Sequence, residues 1–122
     1  MASVKSARNA DADEGVRELA ARILFELGDL RVEDALIAAV ADPSAAVVKS
    51  AATALGSIKA AGAVNSLLQC LQHPQPAVRT VAAWALGELK ASVAVDALVE
   101  ALHDRAGDVR QLAPWALGES RA

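Results

Sequence analysis

The sequence predicts an all-α protein of about seven antiparallel helices laid side by side, and three observations carry the prediction. Apolar residues recur at helical spacing in every segment. The segments return at a fixed interval of 31 residues. The composition is 54% hydrophobic yet only 2% aromatic, so Ala, Leu and Val supply the apolar content. Alanine is the best helix former and lets helices approach closely, which favours stacked helices over sheets or a cofactor-filled bundle.

Length and charge narrow the class further. A chain of 122 residues makes one domain with one modest core. A net charge of -3 and a pI near 5.3 argue against nucleic acid as a partner, because that function needs a clustered basic face. The single cysteine cannot form an internal disulfide and is compatible with a reducing compartment. The opening MASVKSARNADADEG lacks the apolar stretch of a secretory signal, and no run approaches the ~20 apolar residues that cross a bilayer. The expectation is a soluble cytoplasmic protein.

Residues 1–12 are expected to form a flexible leader, since Lys5 and Asn9 would fall in columns that are apolar elsewhere. Residues 13–122 are then a single repeat domain: a leading helix and three helix pairs. The leading helix is VRELAARILFEL from Val16. Its copies are VVKSAATALGSI from Val47, VRTVAAWALGEL from Val78 and VRQLAPWALGES from Val109. Between them lie VEDALIAAVADP from Val32, AVNSLLQCLQHP from Ala63 and AVDALVEALHDR from Ala94. In the copy from Val78, the residues Val81, Ala82, Ala85, Leu86 and Leu89 trace one stripe of a 3.6-residue helix. Leu36, Leu67 and Leu98 form a core column, as do Val40, Leu71 and Leu102. Asp42-Pro43, His73-Pro74 and Asp104-Arg105-Ala106-Gly107 break one helix from the next.

Gly56, Gly87 and Gly118 recur inside the first helix type, where glycine costs about 1 kcal/mol relative to alanine. Their recurrence predicts close contact with the helix of the next repeat. Phe25 holds that column in the leading helix, and Pro114 replaces Ala21, Ala52 and Ala83 in the last, where it should kink the helix.

The pattern VRxxAAxALGxLxxxxAVxxLLxxLxDP resembles the HEAT repeat, in the short-period variety of phycobilisome lyases. The resemblance covers about residues 13–122, with Val48 departing from the arginine column of Arg17, Arg79 and Arg110. It implies a right-handed α-α superhelix, a HEAT-like solenoid, in which each unit contacts its neighbours and the ends need caps. No cap is evident around GESRA, so the chain is expected to be part of a longer array or to self-associate through its ends.

The same resemblance places Trp84 and Trp115, which share a column with Arg22 and Thr53, on the concave surface where partners bind. The candidate partner-binding strip is Thr80, Val81, Trp84 and Glu88, with Gln111, Leu112, Trp115 and Glu119 in the next repeat. Exposed tryptophan beside apolar side chains is a familiar hot spot. The competing role for both indoles is packing between repeats. Arg79 and Arg110 could hold a carboxylate or phosphate, but a structural ladder with Glu88 or Asp108 is favoured. His73, His103 and Cys70 occupy unrelated columns, so no metal is expected. Asp42 and Asp108 read as polar groups at loops and helix ends.

No GxSxG, HExxH, glycine-rich phosphate loop or paired-cysteine spacing occurs, and no catalytic residue or cofactor is expected. The favoured function is a non-catalytic scaffold that binds a protein on its concave face, without nucleic acid or membrane. The alternative is a bilin lyase or lyase accessory subunit of the phycobilisome type. DNA-glycosylase-like work on a concave groove is weaker still, because it requires a basic groove.

Overall fold

A computed structural model describes residues 10–27 and 32–121. The expected leader therefore lies outside the described residues as far as residue 9, and the first helix begins at Ala10, inside the segment read as leader. Among the described residues, seven α-helices follow one another: α1 Ala10–Leu27, α2 Val32–Ala39, α3 Ala45–Ser57, α4 Val64–Cys70, α5 Pro76–Glu88, α6 Val95–Ala101 and α7 Gly107–Arg121. Short 3₁₀ turns at Ala61–Ala63 and Ser92–Ala94 lead into α4 and α6. No strand occurs among the described residues.

Long and short helices alternate. The short ones, of seven or eight residues, are below the length at which an isolated helix persists in water, so tertiary burial holds them. Leu36, Leu67 and Leu98 each turn one side chain fully into the core, as their shared column predicts, and Leu55 and Leu86 of the long helices meet them there. Fully burying each such leucine contributes about 1.5–3 kcal/mol. The second expected column is less uniform: Leu71 is buried, whereas Val40 and Leu102 are half-buried.

The starts and stops have local causes. The Asp42 carboxylate accepts from the Ser44 N–H at 2.9 Å, and the Ser44 hydroxyl caps α3 by accepting from the Val47 N–H at 3.5 Å. Pro76 opens α5 where its missing donor is harmless. At the other end, α3 and α5 close on Lys59 and Lys90, whose φ values are 56° and 51°. The N–H of Ala60 donates to the Leu55 carbonyl at 3.0 Å and that of Lys59 to Gly56 at 3.2 Å, which is the six-to-one and five-to-two closure of a helix end; Ala91 and Lys90 repeat it on Leu86 and Gly87. Pro114 does not interrupt α7, which runs on to Arg121. It lies exposed, whereas Ala52 and Ala83 of the same column are buried beneath the following repeat.

The long helices pack extensively on one another in the order α1, α3, α5, α7, and each short helix leans chiefly on the long helix that follows it. Short helices make only slight contact with each other.

The glycine column explains the tight spacing. A Cβ on Gly56 would lie 2.9 Å from both Cα and Cβ of Ala85 and 2.6 Å from the ring of Trp84. At Gly87 the corresponding distances are 3.0 Å to the Ala116 Cα and 2.5 Å to the ring of Trp115. Unbonded carbons rest at about 3.5–4.0 Å, so no side chain fits. At Gly118 nothing lies within 4 Å.

Candidate functional site

The strip expected to bind a partner lies on α5 and α7 of the long-helix layer. Trp84 is half-buried and its ring edge lies over Gly56; Trp115 reaches Gly87 in the same way and remains 39% exposed. Each indole therefore packs on the preceding repeat, and Trp115 also shows a face to solvent. Val81 and Leu112 are half-buried beside them, and Gln111 is exposed. Thr80 donates its hydroxyl to the Pro76 carbonyl at 2.9 Å within its own helix, and Thr53, in the tryptophan column, does likewise to Lys49 at 2.8 Å.

Glu88 and Glu119 are engaged across repeats. Lys59 Nζ lies 2.8 Å from Glu88 Oε2, and Lys90 Nζ lies 3.5 Å from Glu119 Oε1. The positive φ at the helix ends aims these lysines along the stack. Sequence reading missed these rungs; the visible signal was the column Lys59, Lys90, Arg121 standing 29 residues ahead of a Glu column. Exposed pairs of this kind contribute little energy and mainly help set register.

The arginine ladder finds neither Glu88 nor Asp108. Arg79, only 8% exposed, grips Asp104 through Nε to Oδ2 at 2.9 Å and Nη2 to Oδ1 at 3.0 Å. Its Nη1 donates to the carbonyls of His73 at 2.8 Å and Pro74 at 3.0 Å. The fork thus ties the loop before its own helix to the loop after the next short helix, a span that helix-face reasoning along one segment does not reach. Arg79 holds the Asp104 carboxyl below its ordinary value through these hydrogen bonds; partial desolvation opposes the shift, and a bond from the Ala106 N–H at 2.8 Å adds to it. Arg17 and Asp42 repeat the pair two steps earlier in the stack, with Nη2 to Oδ1 at 3.1 Å. In the middle repeat both members change together: Val48 replaces the arginine and His73 the aspartate. Neither charge is left buried without its counterpart.

A cleft of about 310 Å³ opens beside this clamp, lined by His73, Arg79, Glu100, His103 and Asp104. It offers an anion little, because Asp104 and two carbonyls already take the donors of Arg79. His73 Nδ1 accepts from the Gln75 N–H at 3.0 Å and His103 is exposed. No cluster of three His, Cys, Asp or Glu that could hold a metal occurs among the described residues. Cys70 is buried, and desolvation pushes its thiol up to about 11. Among the described residues, no helix is long and apolar enough to cross a membrane.

Paired antiparallel helices in register, with a two-layer stack and an inter-repeat arginine clamp, define an α-solenoid. The family profile described as HEAT repeats matches residues 2–73 and 51–118, so the chain belongs to the HEAT repeat family. A similar solved structure is the complex of CpcE and CpcF of phycocyanin lyase from Nostoc sp. PCC7120, with a TM-score of 0.78 and 28% sequence identity. That likeness covers 95% of this chain and 51% of the neighbour's chain, so this chain spans about half its length. No curated protein matches in sequence.

Proposed function

We propose that the chain is a non-catalytic scaffold that binds a protein on the inner face of its long-helix layer. One observation carries this reading: Trp115 keeps 39% of its surface exposed beside half-buried Leu112 and exposed Gln111. Thr80, Val81 and Trp84 extend the same strip by one repeat. An indole fixed on one side by packing and open on the other loses little side-chain entropy on binding, which suits a hot spot. The strip binds as a surface and uses no cofactor. Glu88 and Glu119 contribute through register, since both already hold lysines.

The alternative is an accessory role in a bilin lyase, favoured by the likeness to the phycocyanin lyase complex. A phycocyanin subunit without its chromophore is therefore the first partner to try, with free open-chain bilin as the second probe. The two tryptophans report binding through their emission. A shift with the subunit, lost in Gln111→Arg and Leu112→Glu, supports the scaffold reading. A new bilin absorbance band favours the accessory role instead, and subunit binding indifferent to both substitutions removes the strip from consideration.

A further inference from the structure

The arginine–aspartate fork ties successive repeats together, and the middle joint of the stack lacks it. Arg17 on α1 holds Asp42 in the loop that leads into α3, and Arg79 on α5 holds Asp104 in the loop that leads into α7. Between them, α3 and the loop that leads into α5 offer Val48 and His73. His73 still closes its own loop. Its Nδ1 accepts from the Gln75 N–H at 3.0 Å, as Asp42 accepts from Ser44 at 2.9 Å and Asp104 from Ala106 at 2.8 Å. The turn is kept and the tie is lost.

The fastening of α3 to α5 is therefore uneven along their length. Toward the C-terminal ends the Trp84 ring lies over Gly56, and Lys59 Nζ meets Glu88 Oε2 at 2.8 Å. Toward the N-terminal ends Val48 is buried in apolar contact. Such contact has no preferred direction, whereas a two-bond guanidinium–carboxylate fork fixes angle as well as distance. Space lies on both sides of the loop: His73 lines the cleft of about 310 Å³ beside Arg79 and a second of about 210 Å³ against Ile37, Val40 and Cys70. The short helices add little stiffness, since α4 leans on α5 and only slightly on α2 or α6.

We propose that the α3–α5 joint is a hinge, opening at its N-terminal edge about the Gly56–Trp84 contact. Helices α1 to α3 move as one clamped body and α4 to α7 as the other. Val48 stands eight residues before Gly56, a lever of about 12 Å, so about 2 Å of movement at the loop turns one body against the other by about 10°. The strip from Thr80 to Glu119 lies across the clamped α5–α7 joint and rides the hinge as a stiff platform. The hinge does not depend on what that strip binds.

Hydrogen exchange resolved to single amides tests the opening, and spin-label distances test the motion. Amides from Gln75 to Arg79 should be protected about tenfold less than those from Ser44 to Val48, their clamped counterparts 31 residues earlier. Val48→Arg with His73→Asp installs the missing fork and should remove that difference, whereas either substitution alone should not. Nitroxides at Asp34→Cys and Asp96→Cys, both exposed and two repeats apart, in a Cys70→Ala chain, should give a broad distance distribution that the double variant narrows. If that variant does not fold, Arg79→Val with Asp104→His moves the break to the α5–α7 joint and should lower protection from Ala106 to Arg110 by about tenfold. Equal protection of the two segments in the unaltered chain overturns the hinge. So does a distance distribution that the installed fork leaves unchanged, or an α5–α7 joint indifferent to losing its own.

Discussion

Replacing Gly56 by alanine sets two effects against each other, and the distances decide which wins. In an open helix the change should stabilise by up to about 1 kcal/mol through propensity and a less flexible unfolded chain. At Gly56 the new Cβ would sit 2.9 Å from the Ala85 Cα and Cβ, against an optimum of about 3.5–4.0 Å. The Trp84 ring, at 2.6 Å, could swing aside, but the Ala85 backbone cannot. Helices α3 and α5 would have to separate by about 0.5–1 Å, an overpacking cost of about 1–3 kcal/mol. The net expectation is a loss of about 1–2 kcal/mol. Gly118→Ala is the matched control, with nothing within 4 Å and an expected gain of about 0.5–1 kcal/mol. Thermal and urea unfolding followed by circular dichroism should therefore separate the two variants by about 2–3 kcal/mol, or roughly 10 °C in Tm. Adding Trp84→Ala to Gly56→Ala should recover none of the part owed to Ala85. If Gly56→Ala stabilised as much as Gly118→Ala, the close approach of successive long helices would be refuted, and with it the reason given for the glycine column.

The arginine clamp gives a second group of predictions. Arg79→Val should cost about 2–3 kcal/mol in urea unfolding, because it strands the Asp104 carboxylate and two loop carbonyls; Arg79→Val with Asp104→His should cost less, since Val48 and His73 already stand in those places one repeat earlier. The Asp104 carboxyl is held below its ordinary 3.8, so its stabilisation is complete above that value and is lost as pH falls through the lower, folded one. Asp104→Asn should accordingly lower the urea midpoint near neutrality and flatten its acid dependence; equal slopes in the two proteins below about pH 4 would contradict the clamp. The Cys70 thiol, pushed up from 9.0 to about 11, should carry about 100-fold less thiolate at a given pH and react correspondingly slowly with a disulfide reagent until denaturant exposes it. Fast labelling of the native chain would place Cys70 outside the core.

The helices, their number and their core columns follow from local chemistry that a one-dimensional sequence displays. A 3.6-residue apolar spacing has one burial solution, and a 31-residue interval copies it, so Leu36, Leu67 and Leu98 announce the core before any fold is seen. The glycine column was legible for the same reason, as a repeated local penalty that required a tertiary gain. The arginine's partner was not. Arg79 meets Asp104 because the chain turns through α6 and brings a loop 25 residues away onto the fork, and no property of either residue encodes that meeting. The lysine rungs depended likewise on a positive φ at Lys59 and Lys90, which lysine itself does not favour. Trp84 and Trp115 show the division most plainly: their column was readable, but only stacking decided that each ring rests on a glycine and that one of them still faces water. Periodicity belongs to a helix and is written along it, whereas burial and ion pairing at an interface depend on what the next helix brings.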